Sequence, residues 1–299
     1  MVLLLIQFLL QAVQHPSAYH SSSELVALHV SVVDRHAGFV SGLPRDAFTV
    51  FEDGRTQPIA FFEHEDTPVS VGLVIDSSGS MAPRRDAVIA AGMAFAESSR
   101  PDDEIFTLAF NETVWPGLPE GQSFTSDHQE LHEALNRSGS RGQTALFDAI
   151  DQGLRHLDDG TKPRKVLIVV SDGGDNASHL RFEDILNEAL RRDVVIYSVG
   201  IYDSNNSDAK PAILRDLASA TGGEAFFPKT LDHVRPSLER IARDIRSSYT
   251  IGYVPPATGE PGRRRSVRVD LRSPDGRKLA VRVRTAYVDD PAEGHRAGK

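Results

Sequence analysis

Val71-Gly72-Leu73-Val74-Ile75-Asp76-Ser77-Ser78-Gly79-Ser80 is the stretch whose reading decides the fold. Its first five residues carry no polar side chain, which suits a strand buried on both faces of a parallel sheet. The Ser/Gly-rich stretch that follows is where such a sheet holds ligands, beyond the carboxyl ends of its strands. One carboxylate and two hydroxyls alternate at Asp76, Ser78 and Ser80, so a tight loop can aim three oxygens at one point. Oxygen donors without sulfur or imidazole favour Mg²⁺, Mn²⁺ or Ca²⁺ over zinc or copper.

Working outward, strand-like and helical runs alternate from residue 71 to about residue 246. This predicts an α/β fold: a doubly wound, mostly parallel, Rossmann-like sheet with helices on both faces. Strands are expected at 71–75, 105–110, 166–170, 194–199 and 225–227, with an antiparallel edge strand within 113–118. Helices are expected at 83–98, 126–135, 144–157, 182–191, 211–220 and 231–247.

The flanks read as β structure. Val26, Leu28, Val30 and Val32 alternate with Leu25, Ala27, His29 and Ser31, the mark of a strand with one buried face. Short strands follow near 39–40, 48–51 and 59–62, and the Asp53-Gly54 pair favours a hairpin. After Ser248 the helical period is lost. A strand at 249–254 precedes an alternating pair around Ser273-Pro274-Asp275-Gly276, read as a second hairpin. A lone hairpin is marginal in water, so residues 24–68 and 248–288 are expected to pack as one small β-sandwich-like module. The α/β domain then occupies 69–247, and the polar residues 289–299 form a disordered tail.

Two further stretches complete the candidate site. Gly142-Gln143-Thr144-Ala145-Leu146-Phe147-Asp148 opens a helix with a threonine, and Val166 to Val170 runs into Ser171-Asp172-Gly173-Gly174. Together with the first loop they resemble the metal-ion-dependent adhesion site (MIDAS) of the von Willebrand factor type A family, a D-x-S-x-S loop with a distant Thr and a distant Asp. The matching residues are Asp76, Ser78, Ser80, Thr144 and Asp172. Val32-Val33-Asp34, Gly38, Val40, Gly42-Leu43, Asp46, Phe48, Glu52-Asp53-Gly54, Gln57, Ile59 and Phe62, with Tyr249 and Gly252-Tyr253, extend the likeness. They are similar to a VWFA-related domain family common in Acidobacteria, over residues 28–285.

The resemblance implies that Ser78 and Ser80 bind a cation directly, Asp76 and Asp172 directly or through water, and Thr144 switchably. A Mg²⁺ ion (or Mn²⁺ or Ca²⁺) held this way keeps a position for an Asp or Glu of a protein partner, which makes the chain a non-enzymatic adhesion or binding protein. Two other readings stay open: a metal-assisted hydrolase with Asp172 or Asp148 as base, and a structural module with an empty site. Asp148 and Asp175 stand near enough in sequence to support the ligands by hydrogen bonds. No G-x-S-x-G, Walker or dinucleotide fingerprint occurs.

Composition narrows the partners. The 299 residues carry 33 Lys plus Arg against 42 Asp plus Glu, a formal charge of −9, which excludes long-range attraction to nucleic acid or an anionic membrane. Arg263-Arg264-Arg265 and Arg268 read as a solvated loop and strand edge, without the aromatic interleaving of a nucleic-acid binder. His128 and His132 stand four apart on a helix, yet Gln129 occupies the place where a zinc hydrolase needs Glu. Cysteine is absent. The apolar run 2–13 is too short to span a bilayer and, within residues 1–20, resembles a secretory signal, although no Lys or Arg precedes it. A secreted, periplasmic or cell-envelope location is expected, with no membrane span beyond this segment if it is left uncleaved.

Overall fold

The computed structural model describes residues 25–34, 38–64, 66–137, 139–202, 209–256 and 262–289. The signal-like segment 1–20 lies outside them, as does the expected tail except Asp289. The chain opens with β1 (Val26–Asp34), β2 (Gly38–Phe39), β3 (Phe48–Glu52), β4 (Arg55–Gln57) and β5 (Ile59–Glu63). The central part runs β6 (Val69–Asp76), α1 (Arg85–Glu97), β7 (Glu104–Phe110), β8 (Val114–Pro116), α2 (His128–Asn136), α3 (Leu146–His156) and β9 (Arg164–Ser171). It continues α4 (Phe182–Arg191), β10 (Val194–Gly200), α5 (Pro211–Thr221), β11 (Ala225–Phe226) and α6 (Val234–Arg246). Strands β12 (Tyr249–Tyr253), β13 (Arg264–Leu271), β14 (Leu279–Arg282) and β15 (Ala286–Val288) close it.

The central sheet has the order β11-β10-β9-β6-β7-β8. All its pairs are parallel except the antiparallel edge strand β8. Burial on both faces explains the unbroken apolar runs. In β6, Val69, Val71 and Leu73 enter the core beneath α1 and α6, while Val74 enters the opposite core with Leu146, Ile150 and Leu154 of α3. The chain leaves β6 for β7 on one side and returns through β9 on the other. The order therefore reverses between β6 and β9, and a crevice opens at their carboxyl ends, where Asp76 and Asp172 stand.

Several helices start later than the sequence periodicity suggests. The segment Gly79–Arg84, Pro83 included, is a 3₁₀ turn and α1 begins only at Arg85. Asp127 caps α2 by accepting from the amides of Gln129 and Glu130, which moves its start to His128. Leu231–His233 is likewise a 3₁₀ turn ahead of α6.

The flanking strands build two small sheets, ordered β14-β1-β12-β5, with β2 on β1, and β15-β13-β3-β4. They share one core in which Leu28, Val30, Tyr249 and Ile251 of the first meet Phe48, Val50, Val267 and Val269 of the second. The β3–β4 turn is a tight hairpin with Asp53 and Gly54 both at positive φ, 46° and 78°. The expected hairpin of β13 with β14 does not form. β13 pairs with β3 and β15, whereas β14 crosses to β1 in the other sheet. The turn at 273–276 thus joins two sheets rather than two neighbours: Leu279 and Val281 stand opposite Asp34 and Val32 of β1 and pack against the core that both sheets share.

The arginine cluster also differs from its sequence reading. Arg265 is only 3% exposed. Its guanidinium donates to Glu52 at 2.8 Å and to Asp289 at 2.6 Å. Glu52 is equally buried and accepts from the Tyr253 and Tyr287 hydroxyls at 2.7 and 2.9 Å. Four strands are tied through one carboxylate, and Asp289 is fastened with them. Arg268 is exposed, as expected, and lies 4.1 Å over the Phe51 ring. Ion pairs join these sheets to the α/β unit: Arg282 of β14 with the buried Asp244 of α6, and Arg284 with Asp193 at 2.8 Å.

Candidate metal centre

The β6 strand ends at Asp76, whose carboxylate is 3% exposed. One oxygen accepts from the Ser78 amide at 2.8 Å and the other from the Ser171 hydroxyl at 2.7 Å. The first bond folds the loop back on itself, as an Asp side chain at a turn does. Ser77 is tied on both sides, its amide to the Phe110 carbonyl and its carbonyl to the Arg141 amide, at 2.7 and 2.9 Å. With the loop pinned, the Ser78 and Ser80 hydroxyls lie 3.2 Å apart. Ser80 donates to Asp172 Oδ2 at 3.0 Å, and Asp172 Oδ1 accepts from the Gly174 amide at 2.9 Å.

Ser78, Ser80 and Asp172 thus form one hydrogen-bonded chain, with Asp76 behind it on β6. Thr144 is 7% exposed and is held by its backbone. Its amide donates to Asn176 Oδ1 at 2.9 Å and its carbonyl accepts from the Asn176 and Ala177 amides. Its hydroxyl joins none of the bonds among the other four residues. Thr144 also lies outside α3, two residues before its start. Asp175 Oδ1 supplies the cap from another loop, accepting from the Leu146 amide at 2.9 Å and from the Phe147 amide. Asp175 therefore supports the threonine loop rather than a ligand directly.

Three residues escaped the sequence reading. Ser171 bonds Asp76, Asn176 fixes Thr144, and Asn111 holds the Arg141 carbonyl at 3.1 Å while its own carbonyl accepts from Ala145. Ser171 sits one place before a motif residue and was legible in principle; the two asparagines resemble ordinary turn residues. Gly142 is shaped by this packing: its φ is +79°, and a Cβ there would stand 1.8 Å from Glu112 Oε2.

Burial pushes the Asp76 carboxyl up to about 6, and the nearby Asp172 charge adds to this, while hydrogen bonds from Ser78 and Ser171 pull the other way. A folded-state value above the unfolded one stabilises the fold below about pH 4, a contribution lost as pH rises through about 6. In chelator, wild type is expected to lose about 3 kcal/mol relative to Asp76→Asn over that window. Denaturant curves of both proteins at several pH values check this. A pH-independent difference between them would contradict it.

The donor set fits a hard cation: two carboxylates and two hydroxyls in contact or in line, with no sulfur or imidazole. Among the described residues no cluster of three or more His, Cys, Asp or Glu could hold a metal, so hydroxyls have to complete any set here. Asp148, the candidate base of the hydrolase reading, is engaged elsewhere. It accepts from His179 Nδ1 at 2.8 Å and from the His179 and Leu180 amides. Partial burial, which raises its pKa, is outweighed by these bonds, and the value is lowered. No helix among the described residues is long and apolar enough to cross a membrane.

The profile of the von Willebrand factor type A domain matches residues 70–240. A comparison with curated proteins finds no match. Among solved structures, a von Willebrand factor type A protein from Catenulispora acidiphila aligns over 92% of this chain and 76% of its own, at 16% identity and a TM-score of 0.54. Proximal thread matrix protein 1 from the mussel byssus, in a structure with a zinc-occupied MIDAS motif, aligns over 65% of this chain at 16% identity and a TM-score of 0.53. This chain covers only 49% of that protein. The vWF domain of the type V pili tip protein Mfa5 from Porphyromonas gingivalis aligns over 60% of this chain and 95% of its own, at 14% identity and a TM-score of 0.50. At such identities the likeness is one of fold. The profile match, by contrast, spans more than half of the sequence and contains both strands that end at the crevice: the chain belongs to the von Willebrand factor type A domain family.

Proposed function

We propose that this is an exported, non-enzymatic binding protein whose type A domain, residues 69–247, captures an acidic residue of a protein partner through a divalent cation. The observation that carries the reading is the run from the Ser78 hydroxyl through Ser80 to Asp172, beside the buried Asp76. Asp76, Ser78, Ser80, Thr144 and Asp172 would hold Mg²⁺, or Mn²⁺ or Ca²⁺. Few anionic ligands leave such an ion short of its usual six or more oxygens, and a partner carboxylate is the donor that completes it. Zinc belongs among the ions tested, because the mussel structure holds zinc at its own MIDAS motif.

Residues 24–68 and 248–288 would form one sandwich-like module that orients this face. A secreted, periplasmic or envelope location agrees with the apolar segment at residues 1–20 and with the pilus and byssus origins of the fold relatives. Capture from a native envelope fraction tests the reading, with wild type and Asp76→Ala run in Mg²⁺ and in chelator. A partner retained only by wild type in Mg²⁺ is expected. Identical retention in all four conditions would contradict the proposal.

A further inference from the structure

A cleft of about 500 Å³ lies between the loop after β7 and the loop after α2. Its walls carry Asn111, Glu112, Trp115, Arg137, Ser140 and Arg141. It adjoins the candidate metal centre through the backbone. The Arg141 amide bonds the Ser77 carbonyl, the Gly79 amide bonds the Gly142 carbonyl, and Asn111 holds the Arg141 carbonyl. Ser140 also lines a narrow fissure that reaches Asp76 and Ser77.

The charges in this cleft are unbalanced on a protein whose formal charge is −9. Arg137 and Arg141 are both exposed, and among the described residues neither guanidinium forms an ion pair. Most other arginines near carboxylates are engaged, as with Arg155 and Asp151 or Arg192 and Asp158. The acidic group in the cleft, Glu112, is occupied by the Gln143 amide at 2.9 Å and lies under Gly142. Trp115, the single tryptophan of the chain, is half-buried on the same wall. Two free guanidiniums beside an aromatic face make a surface for a carboxylate-bearing segment with an apolar flank.

We infer that this cleft is the second half of the partner-binding face: Arg137 and Arg141 take a further carboxylate of the acidic segment whose first carboxylate completes the cation, and Trp115 packs against that segment. The inference rests on the proposed cation site and adds the partner's character, an acidic stretch rather than a lone Asp or Glu. Arginine suits this task because its planar fork pairs with a carboxylate in two parallel bonds.

Trp115 supplies the readout. Its emission is followed while a capped hexa-aspartate peptide is titrated into wild type and into R137E/R141E, in Mg²⁺ and in chelator. A peptide with one aspartate among glycines serves as comparison, and the Mg²⁺ dependence of the melting temperature is recorded for each protein. The expected result is a Mg²⁺-dependent emission change in wild type, hexa-aspartate binding about tenfold weaker in the double variant, and an unchanged Mg²⁺ response of its melting temperature. Tenfold preference for hexa-aspartate over the single-aspartate peptide is expected to vanish with the arginines. Unchanged Trp115 emission in wild type on peptide addition, or an equal hexa-aspartate midpoint in both proteins, would overturn the cleft while leaving the cation site standing. Wild type with no Mg²⁺ response in melting temperature would overturn the cation site, and the inference with it. A single-stranded oligothymidylate of equal charge that binds as tightly as the peptide would also overturn it, in favour of a general anion surface.

Discussion

Asp76→Ala is expected to leave the melting temperature of the protein indifferent to Mg²⁺, whereas wild type rises by about 5–10 °C at a cation concentration near one hundred times the dissociation constant. The size follows from mass action: a ligand of the folded state alone stabilises it by about 2.7 kcal/mol at that excess, which is several degrees for a protein of this length. Asp76 is as buried as Asp172, the other anion of the candidate centre, and its loss also frees the Ser78 amide and the Ser171 hydroxyl that it now binds. The alanine variant forfeits those two bonds, worth about 1–3 kcal/mol. It is also relieved of the buried charge that costs wild type about 3 kcal/mol above about pH 6, so without metal its stability at neutral pH should lie close to that of wild type. Asp76→Asn narrows the difference, since its Oδ1 keeps an acceptor for the Ser78 amide while the charge and the oxygen that accepts from the Ser171 hydroxyl are lost. Both variants are expected to be blind to Mg²⁺. A melting curve of either that moves with Mg²⁺ as wild type does would sink the assignment of Asp76.

The second large effect lies far from that centre. Arg265→Met is expected to destabilise the protein by about 3–5 kcal/mol, because the Glu52 carboxylate stays buried with only the two tyrosine hydroxyls as partners. Adding Glu52→Gln to the variant should recover part of the loss, since the uncompensated charge is then gone. Urea unfolding of the wild type, the single variant and the double variant measures both steps. A loss below about 0.5 kcal/mol would place Arg265 among ordinary surface ion pairs.

These two sites mark what the sequence discloses and what it conceals. Buried parallel strands write themselves as continuous apolar runs, so β6, β9 and β10 were legible within about two residues. Helix starts were less so, because caps come from elsewhere in the chain: Asp175 caps α3 across 29 residues, and no local signal at Thr144 or Leu146 announces it. Arg265 illustrates the same limit more sharply. Three consecutive arginines look like a solvated run, and only the antiparallel register that sets β13 against β3 brings one of them onto Glu52. The turn at 273–276 misled for a related reason, since alternation identifies a strand but not its neighbour. At the candidate centre, the sequence offered five residues by type and spacing, and it gave no sign of the asparagines that fix the threonine and arginine loops. Asn176 and Asn111 act through the backbone of distant loops, which leaves no pattern along the chain.

The most direct test of the account is a crystal of the wild-type protein soaked in Mn²⁺, with data collected where manganese scatters anomalously. The account predicts one strong anomalous peak within coordination distance, about 2–2.5 Å, of the Ser78 and Ser80 hydroxyls and beside the Asp172 carboxylate. A well-ordered crystal with no peak there, or with its peaks only on other carboxylates, would contradict it.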